Sequence, residues 1–358
     1  MVKRWRLWLG IAVSLAFLFL AVRQVTDFEE ALTAAREANY WYLLPALAVY
    51  FIGVWVRSVR WHFLLGPIKS IPAGRLFPVV VIGYMANDIL PARIGELVRA
   101  YVLGEKENVS KTATFATIIV ERLFDGLTML LFMGIVSLLV PFEEGLQQIV
   151  RLAGLVFVGG LLVVLIVASS RSLTLRMLSV ALRFLPSGLR SRFSAKADAF
   201  HDGFAATQSL RAMLVIMGLS IVAWSFEAGM YYLLAIGFDL RLPFYVLALT
   251  TAVANLGTMV PSSPGYVGTF EALCVFTLGL FGADRNLAFS YTVVLHAALL
   301  VPITVWGLYY LWRYNLSLSQ AQRIGASAPS EVGMGPSEGR TGGALGSRAE
   351  LADGVDVR

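Results

Sequence analysis

The sequence NDILPARIGE at residues 87–96 interrupts a long apolar stretch, and PSSPGYVGTFE at residues 261–271 interrupts another in the second half of the chain. Proline ends or kinks a helix and leaves backbone carbonyl groups unpaired, and hydrocarbon offers them no hydrogen bonds. Such breaks occur at membrane depth only where protein or a watery cavity surrounds them. Paired interruptions in two halves of a membrane protein therefore indicate a transport site.

The composition of the 358 residues is that of an integral membrane protein, with 58% hydrophobic and 15% charged residues. The net charge of +6 then reflects membrane topology and does not indicate nucleic-acid binding. The single Cys274 excludes an internal disulfide, and no metal or cofactor motif is present, so we expect no cofactor. Uncharged runs that mostly approach or exceed the ~20 residues of a membrane span are 7–22, 38–56, 126–142, 152–170, 242–270 and 286–312.

Charged residues predict which ends of these spans face the cytoplasm. Basic residues at the N-terminus, in the inner loop marked by Arg57, Arg60, Lys69 and Arg75, and in segment 171–211 place those regions inside. The acidic connections 26–40 and 141–149 suit the outside. The full spans expected from this count are 7–25 (a retained first span), 40–58, 112–140, 150–170, 212–238 and 286–313.

Two stretches between these spans remain to be placed, 76–103 and 243–282. The charge count puts both ends of each stretch on the same side of the membrane. We therefore predict an all-α integral membrane protein with about six full transmembrane helices and two oppositely inserted re-entrant hairpins, near 76–103 and 243–282. That layout is an inverted repeat. The alternative is eight full spans with kinked helices. Both termini are expected in the cytoplasm.

Outside the transmembrane domain, 1–314, we expect a disordered cytoplasmic tail at 315–358, because it is rich in Gly, Ser and Ala and has no apolar periodicity. Segment 171–211 is basic and amphipathic. It is predicted either to contact anionic lipid headgroups on the inner leaflet or to link the two repeats.

Ionisable side chains in hydrocarbon are costly, so each needs a partner, a cavity or a function. We expect those of the two breaks and their flanking helices to converge on one polar cavity. The alternative for Arg122 is that it pairs with Glu121, Asp125 or Glu96 and holds the first hairpin in place. A helix–helix hydrogen bond is expected for His296. The candidate substrate-binding residues are Asn87, Asp88, Pro91, Arg93, Gly95, Glu96, Glu121, Arg122, Asp125, Glu227, Asn255, Pro264, Gly265, Gly268 and Glu271.

The chemistry of these residues suits a polar lipid headgroup. Helices that restart after Pro91 and after Gly265 present free N–H groups, which favour phosphate or carboxylate. Arg93 and Arg122 could add a charged fork for phosphate. The nearby carboxylates suit either a cationic amine or proton coupling, and the sequence leaves both open.

The motifs GYMANDILPARIGE (83–96), ERLFD (121–125) and PGYVGTFE (264–271) resemble the lysylphosphatidylglycerol synthase transmembrane (flippase-like) family over roughly residues 5–315. The resemblance implies a bacterial or archaeal inner-membrane protein. In the best-understood members, this domain moves aminoacylated phosphatidylglycerol from the inner to the outer leaflet. By resemblance the family's motif positions are Asn87, Pro91, Arg93, Gly95, Glu96, Glu121, Arg122, Asp125, Gly265, Gly268 and Glu271.

In the bifunctional members a soluble aminoacyl-transferase domain follows this region, whereas only a short polar tail follows it in this sequence, so we do not expect the chain to make lysyl-lipid. We predict a translocase for a polar-headgroup phospholipid, glycolipid or polyprenyl-phosphate lipid. One alternative is an integral-membrane transferase with Glu96 or Asp88 as base. The other is a scaffold for a separate lipid-modifying enzyme. The lipid, the direction of transport, the energy source and the oligomeric state are left open.

Overall fold

The computed structural model describes Phe19 and residues 27–90, 94–141, 144–169, 197–258 and 264–316. Within these ranges every regular element is a helix, which confirms the predicted all-α class. Most of the first span, Pro91, Arg93, most of segment 171–211 and the tail beyond 316 lie outside the described residues, and the expectations about them stay predictions.

The described helices match the predicted spans, except that the helix predicted over 40–58 continues to Leu65 and the helix predicted over 150–170 begins at Glu144. Four described stretches, Tyr40–Leu65, Lys111–Leu139, Leu210–Gly237 and Arg285–Arg313, are long and apolar enough to cross a membrane. Short 3₁₀ helices cover Tyr40–Tyr42, Ala205–Gln208 and Pro264–Tyr266. The α-helices are α1 (Phe28–Glu37), α2 (Leu43–Leu65), α3 (Ala73–Ile89), α4 (Gly95–Glu107), α5 (Lys111–Leu139), α6 (Glu144–Ser169), α7 (Ala197–Asp202), α8 (Leu210–Gly237), α9 (Phe244–Thr258), α10 (Thr269–Leu280) and α11 (Arg285–Arg313).

The acidic connection before α2 contains a short helix, α1. The Asp27 carboxylate caps it by accepting hydrogen bonds from the backbone N–H groups of Glu29 and Glu30. Asn286 fastens α1 to the start of α11, because its amide donates to Glu30 over 2.6 Å. The acidic residues on this connection therefore also serve as helix cap and anchor.

Helices α2 and α8 form the central antiparallel pair. The backbone N–H of Asn39, just before α2, donates to the carbonyl of Gly237 at the end of α8, over 2.8 Å. Midway along, Gly53 lies against the Ala223 carbonyl, and a Cβ added to Gly53 would sit 3.2 Å from that oxygen. The start of α2 thus lies at the end of α8, and the two helices run in opposite directions.

Helices α3 and α4 form a hairpin, which we call hairpin 1. The Lys69 ammonium, just before α3, donates to the carbonyl of Glu107 at the end of α4, over 2.5 Å. Arg75 also pairs with Glu107, at 3.3 Å. The open end of hairpin 1 therefore lies where α2 ends and α5 begins. Its arms of 17 and 13 residues are shorter than a full span of ~20 residues.

Helices α9 and α10 form hairpin 2, with arms of 15 and 12 residues. The rings of Tyr245 and Phe281, at the two outer ends, are 6.4 Å apart. Phe244 contacts Tyr232 near the end of α8, with ring centroids 5.7 Å apart. Hairpin 2 therefore opens where α8 ends. Because α8 is antiparallel to α2, the two hairpins open at opposite ends of the bundle, as the sequence predicts.

The two halves repeat the same order of elements: a short helix (α1 or α7), a 3₁₀ turn, a long helix (α2 or α8), a hairpin and a second long helix (α5 or α11). Their packing is reciprocal. Helix α11 packs against α3 of hairpin 1, and α5 packs against α9 of hairpin 2. The hairpin tips meet in the middle, where Gly265 lies against the Asp88 carbonyl.

One expectation from charge is wrong. Arg57 and Arg60 do not mark an inner loop, because α2 continues to Leu65 and buries both side chains among other helices. The positive-inside rule assigns such arginines to a loop because a buried arginine is rare in a span. Here carboxylates on neighbouring helices compensate the two charges.

Candidate functional site

A polar cavity of about 130 Å³ lies where the two hairpin tips meet. Both central helices, both hairpins, α5 and α11 contribute to its wall. Its aromatic wall consists of Tyr50, Tyr84, Trp224, Tyr231, Tyr266 and Phe270, and its charged or amide-bearing lining is Arg57, Asn87, Asp88, Arg122, Glu227, Asn255 and His296.

Arg57 and Glu227 form an ion pair across the central helices. The Arg57 guanidinium donates to the Glu227 carboxylate over 2.6 Å and lies over the Trp224 ring, 4.4 Å from its centroid. The other Glu227 oxygen accepts a hydrogen bond from the Asn255 amide over 3.2 Å. Glu227 therefore joins α2, α8 and α9 at the cavity wall.

Arg122 brings the second guanidinium to the cavity. It contacts the carboxylates of Glu121 at 2.5 Å and Asp125 at 3.1 Å. The pairing expected as an alternative to substrate binding is thus present. Both partners lie on the same helix as Arg122, α5, so these ion pairs do not hold hairpin 1.

Arg99, on α4, attaches hairpin 1 to α5. Its guanidinium donates two hydrogen bonds to Glu121, over 2.8 and 3.1 Å, and lies 4.1 Å from the centroid of the Trp61 ring. Beside this pair, Arg60 donates to Asp125 over 2.6 Å. We call Arg60, Arg99, Glu121 and Asp125 the buried ion cluster. It stands behind the cavity and connects α2, α4 and α5.

At the tip of hairpin 1, the side-chain Oδ1 of Asn87 accepts a hydrogen bond from the backbone N–H of Gly95 over 2.8 Å, and the side-chain Nδ2 of Asn87 donates to Glu96 over 3.4 Å. Asp88 accepts a hydrogen bond from Thr304 on α11 over 3.1 Å. Asn87 and Asp88 line the cavity, whereas Gly95 and Glu96 lie at the first turn of α4.

At the tip of hairpin 2, Glu271 holds the turn that precedes α10. One carboxylate oxygen accepts a hydrogen bond from the Gly268 N–H over 2.6 Å, and the other lies 2.5 Å from His296 Nδ1. Gly268 has φ +88° and Gly265 has φ +67°, a conformation that favours glycine. The expected helix–helix hydrogen bond of His296 is thus present.

The structure divides the sequence-predicted set by position. Asn87, Asp88, Arg122, Glu227 and Asn255 line the cavity. Pro91 and Arg93 lie outside the described residues. The others form the tips or stand behind the wall: Gly95, Glu96, Glu121, Asp125, Pro264, Gly265, Gly268 and Glu271.

Sequence reasoning missed three arginines, Arg57, Arg60 and Arg99, as members of the site. The signal for the first two was their spacing of three residues within an apolar run, which places them on neighbouring positions of one helix face. Arg99 had no such spacing signal, and its partner Glu121 belongs to another helix. No group of three potential metal ligands occurs among the described residues.

Gly95 gives a direct test of the hairpin 1 tip. A Cβ at this position would collide with the Gly83 carbonyl and with the Asn87 side chain. We expect Gly95→Ala to lower the free energy of unfolding by about 1–3 kcal/mol, since overpacking displaces both arms. Thermal denaturation in detergent measures the change. Gly134→Ala is the matched control, because nothing lies within 4 Å of its added Cβ; equal stability of the two variants would contradict the tip geometry.

Comparison with known proteins places this architecture among membrane proteins. The family described as "Lysylphosphatidylglycerol synthase TM region" matches residues 7–307. Glycosyltransferase AglD of Haloferax volcanii is 27% identical over 350 residues, covering 87% of this chain and 55% of AglD, so the chain spans only about half the length of that relative.

Other relatives are matched over most of their length. A UPF0104 membrane protein of Methanothermobacter thermautotrophicus is 26% identical over 304 residues, which is 79% of this chain and 87% of the relative. The UPF0104 membrane protein MJ1078 of Methanocaldococcus jannaschii is 22% identical over 239 residues, 64% of this chain and 95% of the relative. No solved structure gives a significant match.

Proposed function

The chain belongs to the lysylphosphatidylglycerol synthase TM region family of multi-pass membrane proteins, and we propose that it is a lipid translocase. It moves a polar headgroup between the two leaflets through the cavity between its hairpin tips. The single observation that carries the proposal is the geometry of the tips. Two hairpins open at opposite ends of the bundle and meet at one cavity, which is lined by both positively and negatively charged side chains.

This geometry supports alternating access. Each hairpin reaches the cavity from a different face, so parting one hairpin from its neighbours would expose the cavity to one leaflet at a time. The arginines Arg57 and Arg122 offer donors to a headgroup phosphate, and the carboxylates of Asp88 and Glu227 offer acceptors to an amine. The acyl chains would stay in the bilayer.

The charges at the two ends support an orientation. Basic residues stand where hairpin 1 opens, namely Lys69, Arg75, Lys106 and Lys111. The opposite end carries Asp27, Glu29, Glu30 and Asp284. By the positive-inside rule, hairpin 1 opens to the cytoplasm and hairpin 2 to the outside.

Lipid exchange in vesicles tests the function. The purified chain in proteoliposomes is expected to speed the loss of fluorescence of labelled lipids that start in the inner leaflet, because a membrane-impermeant quencher reaches them only after they cross. Zwitterionic, anionic and glycosylated headgroups are compared. Arg122→Gln should slow the exchange at least about ten-fold, equivalent to ~1.4 kcal/mol of barrier. The matched control is Arg241→Gln, on an exposed loop where Arg241 pairs only with Asp239 among the described residues. Wild-type exchange no faster than in empty vesicles rules out the proposal.

The similarity to AglD supports a second candidate function, that of an integral-membrane transferase. AglD is named as a glycosyltransferase, and the matched region is 55% of its length. The same vesicles supplied with a sugar donor distinguish the two candidates. A glycosylated lipid product would favour the transferase, and leaflet exchange without any donor favours the translocase.

A further inference from the structure

The pair formed by Glu271 and His296 has a place in the structure that headgroup binding does not explain. His296 Nδ1 lies 2.5 Å from a carboxylate oxygen of Glu271, and the other oxygen of that carboxylate holds the Gly268 N–H at the tip of hairpin 2. The imidazole is stacked on Phe270, with ring centroids 4.4 Å apart. No described residue is hydrogen-bonded to Nε2, and the ring lines the cavity.

A carboxylate of hairpin 1 lines the same cavity as this imidazole. Asp88 and His296 both belong to the cavity wall. Asp88 is hydrogen-bonded to Thr304 of α11, two turns beyond His296 on the same helix. The imidazole is thus hydrogen-bonded to a carboxylate of hairpin 2, and the tip of hairpin 2 lies against hairpin 1, where Gly265 meets the Asp88 carbonyl.

The other titratable and charged groups around the cavity are already largely compensated. Arg57 is paired with Glu227, and Arg122 is paired with two carboxylates of its own helix. Cys274 lies near Glu271 on α10 and is fully buried. The remaining titratable groups that line the cavity are the phenols Tyr50 and Tyr84 of α2 and α3, Tyr231 of α8 and Tyr266 of the tip.

We propose that His296, with Glu271 as its partner, is a proton-binding site that closes the two hairpin tips on each other and couples lipid movement to protons. A proton delivered from bulk solvent through cavity water adds to Nε2 and produces an imidazolium, which forms an ion pair with the Glu271 carboxylate. Loss of that proton changes the charge of the pair from 0 to −1. A buried carboxylate without a counter-charge is unfavourable, so the deprotonated form loosens the hold of α11 on the tip of hairpin 2 and, through Gly265, the contact of that tip with hairpin 1.

The pair has a counterpart in the other repeat. His296 is eleven residues beyond the first residue of α11, and Arg122 is eleven residues beyond the first residue of α5. One repeat thus carries a permanent cation at this position, since arginine stays protonated in proteins, and the other carries a cation that depends on pH. The asymmetry makes hairpin 2 the pH-dependent one.

Hydrogen exchange of the tips tests the proton site without any lipid transport. In wild-type protein, protection of 264–280, corrected for the intrinsic rate, should fall several-fold as the pH rises through the range of about 5 to 8, where histidine titrates. His296→Gln and Glu271→Gln should each remove the pH dependence. The control is His62→Gln, at the far end of α2, where Nδ1 contacts the Ile71 carbonyl; it should retain the wild-type response. A flat wild-type profile, or one that survives in both cavity variants, overturns the proposal.

A second arm tests the coupling, which rests on the proposed function. Proteoliposomes with an imposed pH gradient should exchange labelled lipid several-fold faster in one direction, and His296→Gln should abolish the effect of the gradient. If active wild-type protein exchanges lipid at the same rate with and without the gradient, the coupling is refuted, whereas the translocase proposal is unaffected. Absence of exchange at any pH refutes the translocase, while the tip measurement still decides the proton site.

Discussion

Glu121→Ala is expected to lower the free energy of unfolding by about 3–5 kcal/mol, because it leaves buried guanidinium groups without their counter-charge. The Glu121 side chain is 1% exposed and accepts two hydrogen bonds from Arg99. Arg60 lies 3.5 Å from the same carboxylate and is fully buried. Thermal denaturation in detergent measures the loss of stability. Hairpin 1 should also assemble more slowly, because Arg99 attaches it to α5 through Glu121.

Two further variants distinguish the contribution of the buried ion cluster to stability from the general effect of removing a charge. Glu105→Ala removes a carboxylate whose side chain is 53% exposed and which pairs with Lys111; its cost should stay below about 1 kcal/mol. Arg99→Met combined with Glu121→Met removes one charge of each sign and fills the space with apolar atoms, so it should be more stable than Glu121→Ala. If Glu121→Ala costs no more than Glu105→Ala, the buried ion cluster does not stabilise the fold.

The sequence predicted the hairpins because their breaks are local. Proline and glycine between two apolar runs end a helix wherever it lies, and the arms are too short for full spans. The opposite direction of the hairpins followed from loop charges, and the structure bears it out through contacts such as Glu107 with Lys69 and Tyr245 with Phe281.

The partners of the charged residues were not predictable in the same way. Arg57 and Arg60 were assigned to a loop, because sequence alone does not reveal that Glu227 and Asp125 compensate them from other helices. Gly95 stays a predicted substrate-binding residue, and its described contacts, which the sequence did not reveal, lie in the packing between α3 and α4. Long-range pairing depends on the packing of helices, which a single sequence does not encode in any short spacing.

The last prediction contrasts Glu227 with Glu121. Both carboxylates are buried and paired with arginine, but Glu227 borders the cavity, whereas Glu121 stands behind it. Glu227→Gln keeps the hydrogen bond of the Asn255 amide and removes the charge that Arg57 faces. Polar groups and water of the cavity can solvate the released guanidinium, so the loss of stability should be smaller than for Glu121→Ala.

The rate of lipid exchange should be lowered more by Glu227→Gln than by Glu121→Ala. In Glu227→Gln, Arg57 is no longer neutralised and would hold an anionic headgroup too tightly to release it, which slows exchange by about ten-fold or more, or ~1.4 kcal/mol. The measurement is the vesicle assay, with variants compared at equal amounts of folded protein. Glu29→Gln, an exposed acid of α1, is the control. Normal exchange in Glu227→Gln would mean that headgroups do not pass Arg57, and a stability loss as large as that of Glu121→Ala would mean that the cavity does not solvate charge. Either result would remove the physical basis for a transport path between the hairpin tips.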